Sequence, residues 1–372
     1  MTVLIGRGKG MRLEEAKLEI ERKLKEMVDR DAKIPNAYLL VHSDRHAIHW
    51  SLAHGGSDDM PANAEQPYHT ASIAKTFTAM IIAKLVEGGK LLYEDRLDKY
   101  LQDDLMSDLH IYKGKDYSRE ITIQHLIGNT SGLGDFYEEK PKVGKPFLDI
   151  MLDEPSRYWS AKETIEWTKQ QISPRFKPGE KVHYTNTGFN LLGLVIEEVT
   201  SKPYHQVLHE MIFQPQRMNH TYLSQSSEPA EQNPYPVAKL NLKNREINVE
   251  DYRSFSSIYA GGQTVSTSED LLKFMKALAA GSVVHKDTLE SMKQWQKMWI
   301  GVDYGSGLMR VRMLPIIQKY NVWGHLGSIG SFMLYNPGMD IYIIGNFNKS
   351  GHLTKTVRFL FNTLRTLSKA IS

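Results

Sequence analysis

Ser72 and Lys75 are the residues whose types and spacing are best suited to covalent chemistry. They stand three apart at the start of an apolar stretch, 73–85, whose hydrophobic residues recur at steps of three and four, which predicts a helix. Residues three apart share one face of a helix, with Cβ atoms about 5–6 Å apart. A neutral lysine there could take the serine proton and leave a nucleophilic oxygen. The alternative is a solvated lysine near an unrelated serine, but this is the only Ser-x-x-Lys in the chain.

Tyr184 and Asn186 form the only Tyr-x-Asn in the chain, between a Pro-Gly turn and an apolar stretch, 187–199, that predicts a helix. Tyr184 could act as a phenolic acid or base, and Asn186 could bond a substrate amide or Lys75. A cationic Lys75 nearby would lower the phenol pKa and favour its anionic form. The alternative is that Tyr184 only packs in the core and that Asn186 only caps the helix.

His325, Gly327 and Ser328 lie in the segment Gly-His-Leu-Gly-Ser, between segments that are typical of strands. A strand that carries His325 and has no side chain at Gly327 would let a substrate backbone approach closely. His325 could then supply a cation for an acidic substrate or a hydrogen-bond donor. The alternative is a turn with an incidental histidine.

The elements that would position these residues are strands near both ends of the sequence and helices between them. A loop is predicted at 54–59, and 91–200 is predicted to be mostly helical. The other predicted helices are 11–30, 268–280 and 354–367, and the predicted strands are 36–41, 47–52, 307–313, 319–322, 331–335 and 341–346.

An antiparallel sheet built from both ends of the sequence, with a helical lobe inserted, satisfies this order. The predicted fold class is therefore α+β. Residues 1–75 and 255–372 would form the sheet lobe and residues 76–254 a mainly helical lobe. The active site would lie at the interface, where pockets are common.

Composition bounds the remaining possibilities. With 372 residues, 41% hydrophobic and 24% charged, the chain is an ordinary globular protein with ample core. Its net charge is +3, and its lysines and arginines are spread along the sequence, so no nucleic-acid partner is predicted. It has no cysteine, which excludes disulfides and thiolate sites.

No apolar run approaches the roughly 18–20 residues that cross a bilayer, so no membrane span is predicted. Val3-Leu4-Ile5 is too short for a signal-peptide core, so the chain is expected to be cytoplasmic as given, or secreted or periplasmic if a leader has been removed.

No metal site or other cofactor is predicted. The sequence has no His-Glu-x-x-His motif, and the histidines at 42–49 look like a hairpin whose side chains lie on opposite faces. It also has no Gly-x-Ser-x-Gly elbow, which argues against a different hydrolase fold. The oligomeric state stays open.

Taken in order, Ser-x-x-Lys, Tyr-x-Asn and His-x-Gly resemble the motifs of the penicillin-recognising serine hydrolases. The nearest branch is that of class C β-lactamases, serine DD-peptidases, D-aminopeptidases and related esterases. The segment 176–186, the Thr-Ser-Gly-Leu at 130–133 and the Tyr-Ala-Gly-Gly at 259–262 extend the resemblance over roughly residues 37–346.

The resemblance implies a role for each motif residue. Ser72 would be the acylated nucleophile, and Lys75 and Tyr184 the pair that removes its proton and later delivers one to the leaving group. Asn186 would orient Lys75 and the substrate amide, and His325 and Gly327 would form the third motif. The backbone N–H groups of Ser72 and Ser328 would form the oxyanion hole.

Two positions depart from the family pattern. His325 stands where β-lactamases usually have lysine, so the fixed cation for a penicillin carboxylate is missing near neutral pH. The family uses histidine here in peptidases and aminopeptidases. Gly128-Asn129 stands where relatives commonly carry Thr-His before Thr-Ser-Gly-Leu, which is interpreted as a change in the scaffold, with an altered pocket wall as the alternative.

The resemblance therefore implies a serine hydrolase that works through a Ser72 acyl-enzyme on a small-molecule acyl substrate. Small esters, D-amino-acid amides and peptides are the expected substrate classes. The alternatives are a slowly acylating penicillin-binding sensor or scaffold, or a weak β-lactamase. The segments 135–145 and 228–236, which would shape the pocket, carry no signal that selects among substrates.

Overall fold

Strands lie near both ends of the computed structural model, which describes residues 11–57, 60–313 and 317–371. Val3-Leu4-Ile5, on which the prediction about a leader rests, lies outside these residues. The strands are β1 Asn36–Ser43, β2 Ile48–Ser57, β3 Met60–Pro61, β4 Tyr68–His69, β5 Ile111–Tyr112, β6 Lys115–Asp116, β7 Tyr222–Leu223, β8 Leu240–Leu242, β9 Arg245–Ile247, β10 Thr264–Ser266, β11 Gln296–Trp299, β12 Val302–Tyr304, β13 Met309–Val311, β14 Val322–Leu326, β15 Phe332–Asn336 and β16 Ile341–Asn346.

Nine of these strands form one antiparallel sheet in the order β11-β12-β13-β14-β15-β16-β1-β2-β3. The first and last long strands in the sequence are neighbours inside the sheet, where Leu40 of β1 pairs with Ile344 of β16. Residues of β1 are buried almost without interruption, as expected for a strand that is covered on both faces. The sheet therefore depends on segments about 300 residues apart in the chain.

The α-helices of the described residues lie on both sides of this sheet and in the inserted region. They are α1 Leu13–Asp29, α2 Ala74–Glu87, α3 Asp103–Met106, α4 Ile123–Ile127, α5 Phe147–Asp153, α6 Ala161–Gln171, α7 Asn186–Thr200, α8 Tyr204–Leu208, α9 Tyr259–Gly262, α10 Ser268–Ala280, α11 Lys286–Met292 and α12 Leu353–Ala370.

Two cores hold the layers together. Apolar residues of α1 and α12, such as Ile20, Leu24 and Leu360, pack on one face of the sheet. On the other face the larger core joins the sheet to α2, α7 and α10. Helix α2 is buried along nearly its whole length, which explains why its sequence is apolar rather than amphipathic. This burial fixes the helix that follows Ser72 firmly between sheet and helices.

The predicted α+β fold, an antiparallel sheet with helices, is confirmed. The boundaries of the two lobes at 75/76 and 254/255 stay a prediction. No helix of the described residues has the length and apolar character that would cross a bilayer.

Several predicted elements differ in the structure. The loop predicted at 54–59 is wrong over residues 54–57, because β2 continues to Ser57 and Gly55 pairs with Asn36. Residues 58–59 lie outside the described residues. The strand predicted at 319–322 is instead a 3₁₀ turn, Gln318–Tyr320, followed by β14. The hairpin β11–β12 was not predicted at all. The conformation of these segments depends on the strands beside them, and the local sequence does not show which strands those are.

The prediction that the histidines at 42–49 point to opposite faces is also wrong. His42 and His49 are cross-strand partners, and their Nδ1 atoms are 3.1 Å apart. Directly opposed residues of an antiparallel pair share a face, so the two rings meet. Across residues 11–57, 60–313 and 317–371, no group of three or more His, Asp or Glu side chains is arranged to hold a metal ion.

Candidate active site

Ser72 lies on a tight 3₁₀ turn, Ala71–Ile73, that leads directly into α2. Ala71, just before it, has φ of +49°, a left-handed conformation that costs a non-glycine residue about 1–3 kcal/mol. The helix predicted at 73–85 is present, with Ser72 on the turn at its entrance. The serine is half-buried, whereas Ala71 and Ile73 on either side are buried. The turn therefore presents Ser72 to the adjoining cavities.

Lys75 is fully buried, one turn along from Ser72. Its Nζ donates to Asn186 Oδ1 at 2.6 Å and to the Gly261 carbonyl at 2.6 Å, and it lies 3.4 Å from Ser72 Oγ. Burial lowers the pKa of Lys75 to about 7, although the nearby carboxylates of Asp135 and Glu138 act to raise it. A neutral amine has two N–H groups and one lone pair. The two strong acceptors take the N–H groups, which leaves the lone pair for Ser72.

Asn186 is held in one orientation by Asp135. The Asp135 carboxylate accepts from the backbone N–H of Asn186 at 2.6 Å and from its Nδ2 at 3.1 Å. Because the amide nitrogen is used in this way, the amide oxygen must face Lys75. Thr185, not Asn186, provides the side-chain cap of α7. The alternative in which Asn186 only caps the helix is therefore wrong.

Tyr184 approaches the same site from the segment before α7. Its ring centroid is 4.8 Å from Lys75 Nζ. Its hydroxyl is buried and close enough to Ser72 to affect its own pKa, but it forms no hydrogen bond of normal geometry within the described residues. Burial raises the pKa of Tyr184 well above its usual value. The expectation of a phenolate is therefore wrong: removal from water outweighs the effect of Lys75, whose own positive charge is disfavoured by burial.

His325 lies on β14 and is fully buried beside Tyr184 and Tyr304, with ring centroids 6.3 and 6.1 Å away. Burial, reinforced by Lys75, lowers the pKa of His325 to about 3, so the ring is neutral. Its Nδ1 lies 2.7 Å from the Leu326 carbonyl, which can only accept, so Nδ1 carries the hydrogen. The suggestion of a cationic His325 is therefore wrong, and Nε2 is an acceptor.

Gly327 follows β14 at the point where the chain passes closest to the Ser72 turn. A Cβ atom there would overlap Ser331 Oγ and lie 3.0 Å from the Thr70 carbonyl. Ser331 Oγ also donates to that carbonyl at 2.7 Å, which fixes β14 against the turn. The absence of a side chain at Gly327 thus allows two protein segments to approach each other. The sequence pattern had suggested only the approach of a substrate backbone. Ser328, the next residue, is exposed at the cavity wall.

Two cavities meet at Ser72. The smaller one, about 20 Å³, is lined by Asn186, Gly261 and Gly262 among others. The larger one, about 440 Å³, is lined by Tyr184 and several apolar side chains. Ser328 and Glu138 line both cavities. The structure therefore brings all seven predicted residues to one place: Ser72, Lys75, Tyr184, Asn186, His325, Gly327 and Ser328.

The motifs did not point to Asp135, Glu138 or Tyr304. Asp135 and Glu138 follow the Thr-Ser-Gly-Leu segment, where no spacing rule selects an acid. Glu138 is open to the water of the cleft but surrounded by protein on most sides, and this burial raises its pKa. The Lys75 acceptor Gly261 acts through its backbone, so only the Tyr-Ala-Gly-Gly segment could have suggested it.

Comparison with known proteins gives relatives for nearly the whole chain. A sequence model described as Beta-lactamase matches residues 20–359. A penicillin-binding protein of Bacillus subtilis (strain 168) is 27% identical over 270 residues, which are 68% of this chain and 54% of that protein. The chain spans less than two thirds of the length of the first curated relatives it matches.

Solved structures give the same fold. The D-stereospecific amidohydrolase from Streptomyces sp. is 25% identical, with a TM-score of 0.75 over 91% of this chain and 97% of that one. The D-amino acid amidase from Ochrobactrum anthropi SV3 is 21% identical, with a TM-score of 0.77 over 96% of this chain and 100% of the other, and supports the fold alone. The resemblance inferred from the three motifs is confirmed, and the chain belongs to the Beta-lactamase family of serine hydrolases.

Proposed function

We propose that this chain hydrolyses amide or ester bonds of small D-aminoacyl substrates through a Ser72 acyl-enzyme. The observation that carries the proposal is the Lys75 amine, buried 3.4 Å from Ser72 Oγ with a pKa of about 7. A lysine that is partly neutral near pH 7 can serve as a general base. Its two fixed acceptors hold it for that task.

In the first step Lys75 takes the Ser72 proton as Oγ attacks the substrate carbonyl carbon. Backbone N–H groups of Ser72 and Ser328 stabilise the resulting oxyanion, and each such donor is typically worth about 10²–10³ in rate. Tyr184, which is protonated before the reaction, donates its proton to the leaving group and regains one from Lys75. Water then attacks the acyl-enzyme with Lys75 again as base, and Ser72 is restored.

The charge of the site favours a substrate with a free amine. With Lys75 neutral, the acidic residues near Ser72 are Asp135 and Glu138, while His325 is uncharged. A substrate ammonium group complements Glu138 at the cavity wall, whereas a penicillin carboxylate would face this acidic residue without a matching cation. The D configuration is proposed from the Streptomyces relative, a D-stereospecific amidohydrolase.

A substrate panel tests the proposal. We expect hydrolysis of D-alanine p-nitroanilide, slower hydrolysis of the L isomer, and loss of at least about 10³ in kcat/KM in Ser72→Ala. Ser107→Ala is the matched control, since Ser107 is exposed and remote from the cavities. Mass spectrometry should detect a transient acyl adduct on Ser72. Activity of Ser72→Ala at the wild-type level would refute the nucleophile, and a permanent penicillin adduct without turnover would favour the sensor alternative.

The same panel tests the ammonium site. N-acetyl-D-alanine p-nitroanilide lacks the positive charge, so we expect its kcat/KM to be at least about tenfold lower than that of the free amine. Glu138→Gln should reduce that difference, because it removes the complementary charge. An unchanged difference in Glu138→Gln would contradict the assignment of Glu138 and leave the role of Ser72 standing.

A further inference from the structure

The apolar surface that extends outward from Tyr184 is far larger than the proposed chemistry needs. Beyond Ser72 and Tyr184, the 440 Å³ cavity is lined mainly by apolar side chains: Leu148, Leu242, Trp299, Met309, Leu326 and Leu353. Cavities of about 300–1,000 Å³ commonly bind small organic molecules and bury most of their surface. Water alone would leave this apolar wall poorly solvated.

The cavity continues along the edge of the sheet. A second cavity, about 680 Å³, shares Trp299 and Leu353 with the first and runs between the β11–β13 strands and the start of α12. Ile300, Met313 and Val357 add apolar surface there, and Lys297 and Arg312 add charged side chains. Trp299 connects the two regions, since its ring lies 6.2 Å from that of Tyr184 and nearly half of its side chain is exposed. We name this continuous surface the Trp299 trough.

The position of the proton donor decides which half of a substrate the trough receives. A departing alcohol or amine takes its proton from the Tyr184 hydroxyl, which is buried close to Ser72. Other atoms of Tyr184 line the larger cavity, whereas Tyr184 does not line the smaller one, so the leaving group departs on the side of the larger cavity. The acyl part is then left with the cavity of about 20 Å³ beside Asn186. A water molecule needs about 10–15 Å³ measured in this way, so only one or two small groups fit there.

We propose that the enzyme is selective for substrates with a small acyl group and a long apolar leaving group that lies in the Trp299 trough. The inference rests on the proposed function and names the substrate class of that same site. In the acylation step the bond from Ser72 Oγ to the carbonyl carbon forms and the bond from that carbon to the leaving-group oxygen or nitrogen breaks. The proton that Ser72 loses goes to Lys75, the leaving group receives a proton from Tyr184, and Lys75 returns one to Tyr184.

Two isomeric esters separate the two halves of the site. Octyl acetate and ethyl octanoate have the same atoms and similar overall apolarity, but the long chain is on the leaving group in the first and on the acyl group in the second. We expect kcat/KM for octyl acetate to exceed that for ethyl octanoate by at least about tenfold, because one methylene in an apolar pocket already changes this ratio about 10–200-fold. Octyl acetate should also exceed ethyl acetate.

Variants then locate the preference. Trp299→Ala should lower the ratio of octyl acetate to ethyl acetate by about tenfold. Leu18→Ala is the matched control, since it also truncates an exposed apolar residue but lies on α1 away from the trough, and it should leave the ratio unchanged. Circular dichroism and thermal unfolding confirm that each variant is folded.

The outcomes distinguish this inference from the proposed function. Equal rates on the two isomers, a preference for ethyl octanoate, or no cleavage of either ester alongside Ser72-dependent amidase activity would overturn the inference alone. An octyl preference that survives Trp299→Ala would also overturn it. Activity that does not depend on Ser72 would instead overturn the proposed function.

Discussion

Lys75 carries a charge that its surroundings disfavour. The amine is fully buried, and the acceptors 2.6 Å away satisfy either protonation state. A charged lysine loses its hydration when it is buried, and this lowers the pKa of Lys75 to about 7. The nearby carboxylates of Asp135 and Glu138 act in the opposite direction and limit this decrease in pKa. The residue can therefore switch between base and acid near neutral pH without moving.

This balance predicts the pH dependence of acylation. Only neutral Lys75 can accept the Ser72 proton, so kcat/KM should rise as the pH increases through about 7 and then level off. Asp135→Asn removes a charge that raises the Lys75 pKa, so the rise should move to lower pH. The plateau should change much less, because the amide that replaces the carboxylate keeps an oxygen that can accept from the backbone N–H of Asn186.

Asp149→Asn is the matched control, since Asp149 pairs with Lys243 and is not one of the carboxylates that shift the pKa of Lys75. Its pH profile should match that of the wild type. A profile of Asp135→Asn that moves to higher pH, or does not move, would contradict the assigned effect of Asp135 on Lys75.

Strand β14 and the Ser72 turn act together at the scale of elements. Gly327 permits their contact because it has no side chain, and the Ser331 hydroxyl donates a hydrogen bond to the Thr70 carbonyl. The oxyanion donors proposed at Ser72 and Ser328 belong to these two segments, so their separation depends on this contact.

Gly327→Ala should push the two segments apart. We expect kcat to fall by about 10²-fold, as for the loss of one oxyanion donor, and stability to fall by about 1–3 kcal/mol from the added bulk. Gly338→Ala is the control in the next hairpin, because a Cβ there meets only Asn336 Oδ1 at 3.5 Å. Wild-type kcat in Gly327→Ala, measured with p-nitrophenyl acetate, would show that the close contact does not set the geometry of the site.

The elements also show what sequence could and could not predict. The Ser72 helix and the helix after Asn186 were predictable because hydrophobic periodicity is local. The strand predicted at 319–322 did not reach His325, which lies on β14. The β11–β12 hairpin was not predictable in this way, and it carries Trp299 and Tyr304. Protonation states were also missed, because the pKa of Tyr184 or His325 depends on burial by residues distant in the chain.

At the scale of the whole molecule, Asp31 links the segment after α1 to the end of the sheet and to α12. Its carboxylate accepts from Lys349 at 2.5 Å and from Lys355 at 3.2 Å. The Lys349 hydrogen bond is the main cause that lowers the pKa of Asp31 to about 2. A carboxyl group whose pKa is lower in the folded state stabilises the protein above its unfolded pKa, and that stabilisation is lost as the pH falls.

Asp31→Asn should therefore lower the free energy of unfolding at pH 7 by about 1–2 kcal/mol, after allowance for partial exposure. Urea unfolding at several pH values would measure the difference, which should shrink between about pH 4 and pH 2 as the wild-type carboxylate becomes protonated. Asp29→Asn, a change at a more exposed carboxylate of the same region, should have a smaller effect. A constant difference down to pH 2 would rule out charge as its source.

The pairing of β1 with β16 has a consequence for biosynthesis. As the chain leaves the ribosome, β1 emerges before its partner β16, which follows only after about 300 further residues. Until then one hydrogen-bonding edge of β1 has no native neighbour, and such an edge invites pairing with other chains. Products that stop before Ile341 should therefore accumulate with chaperones or in inclusion bodies, even though Ser72, Lys75 and Tyr184 have already been synthesised.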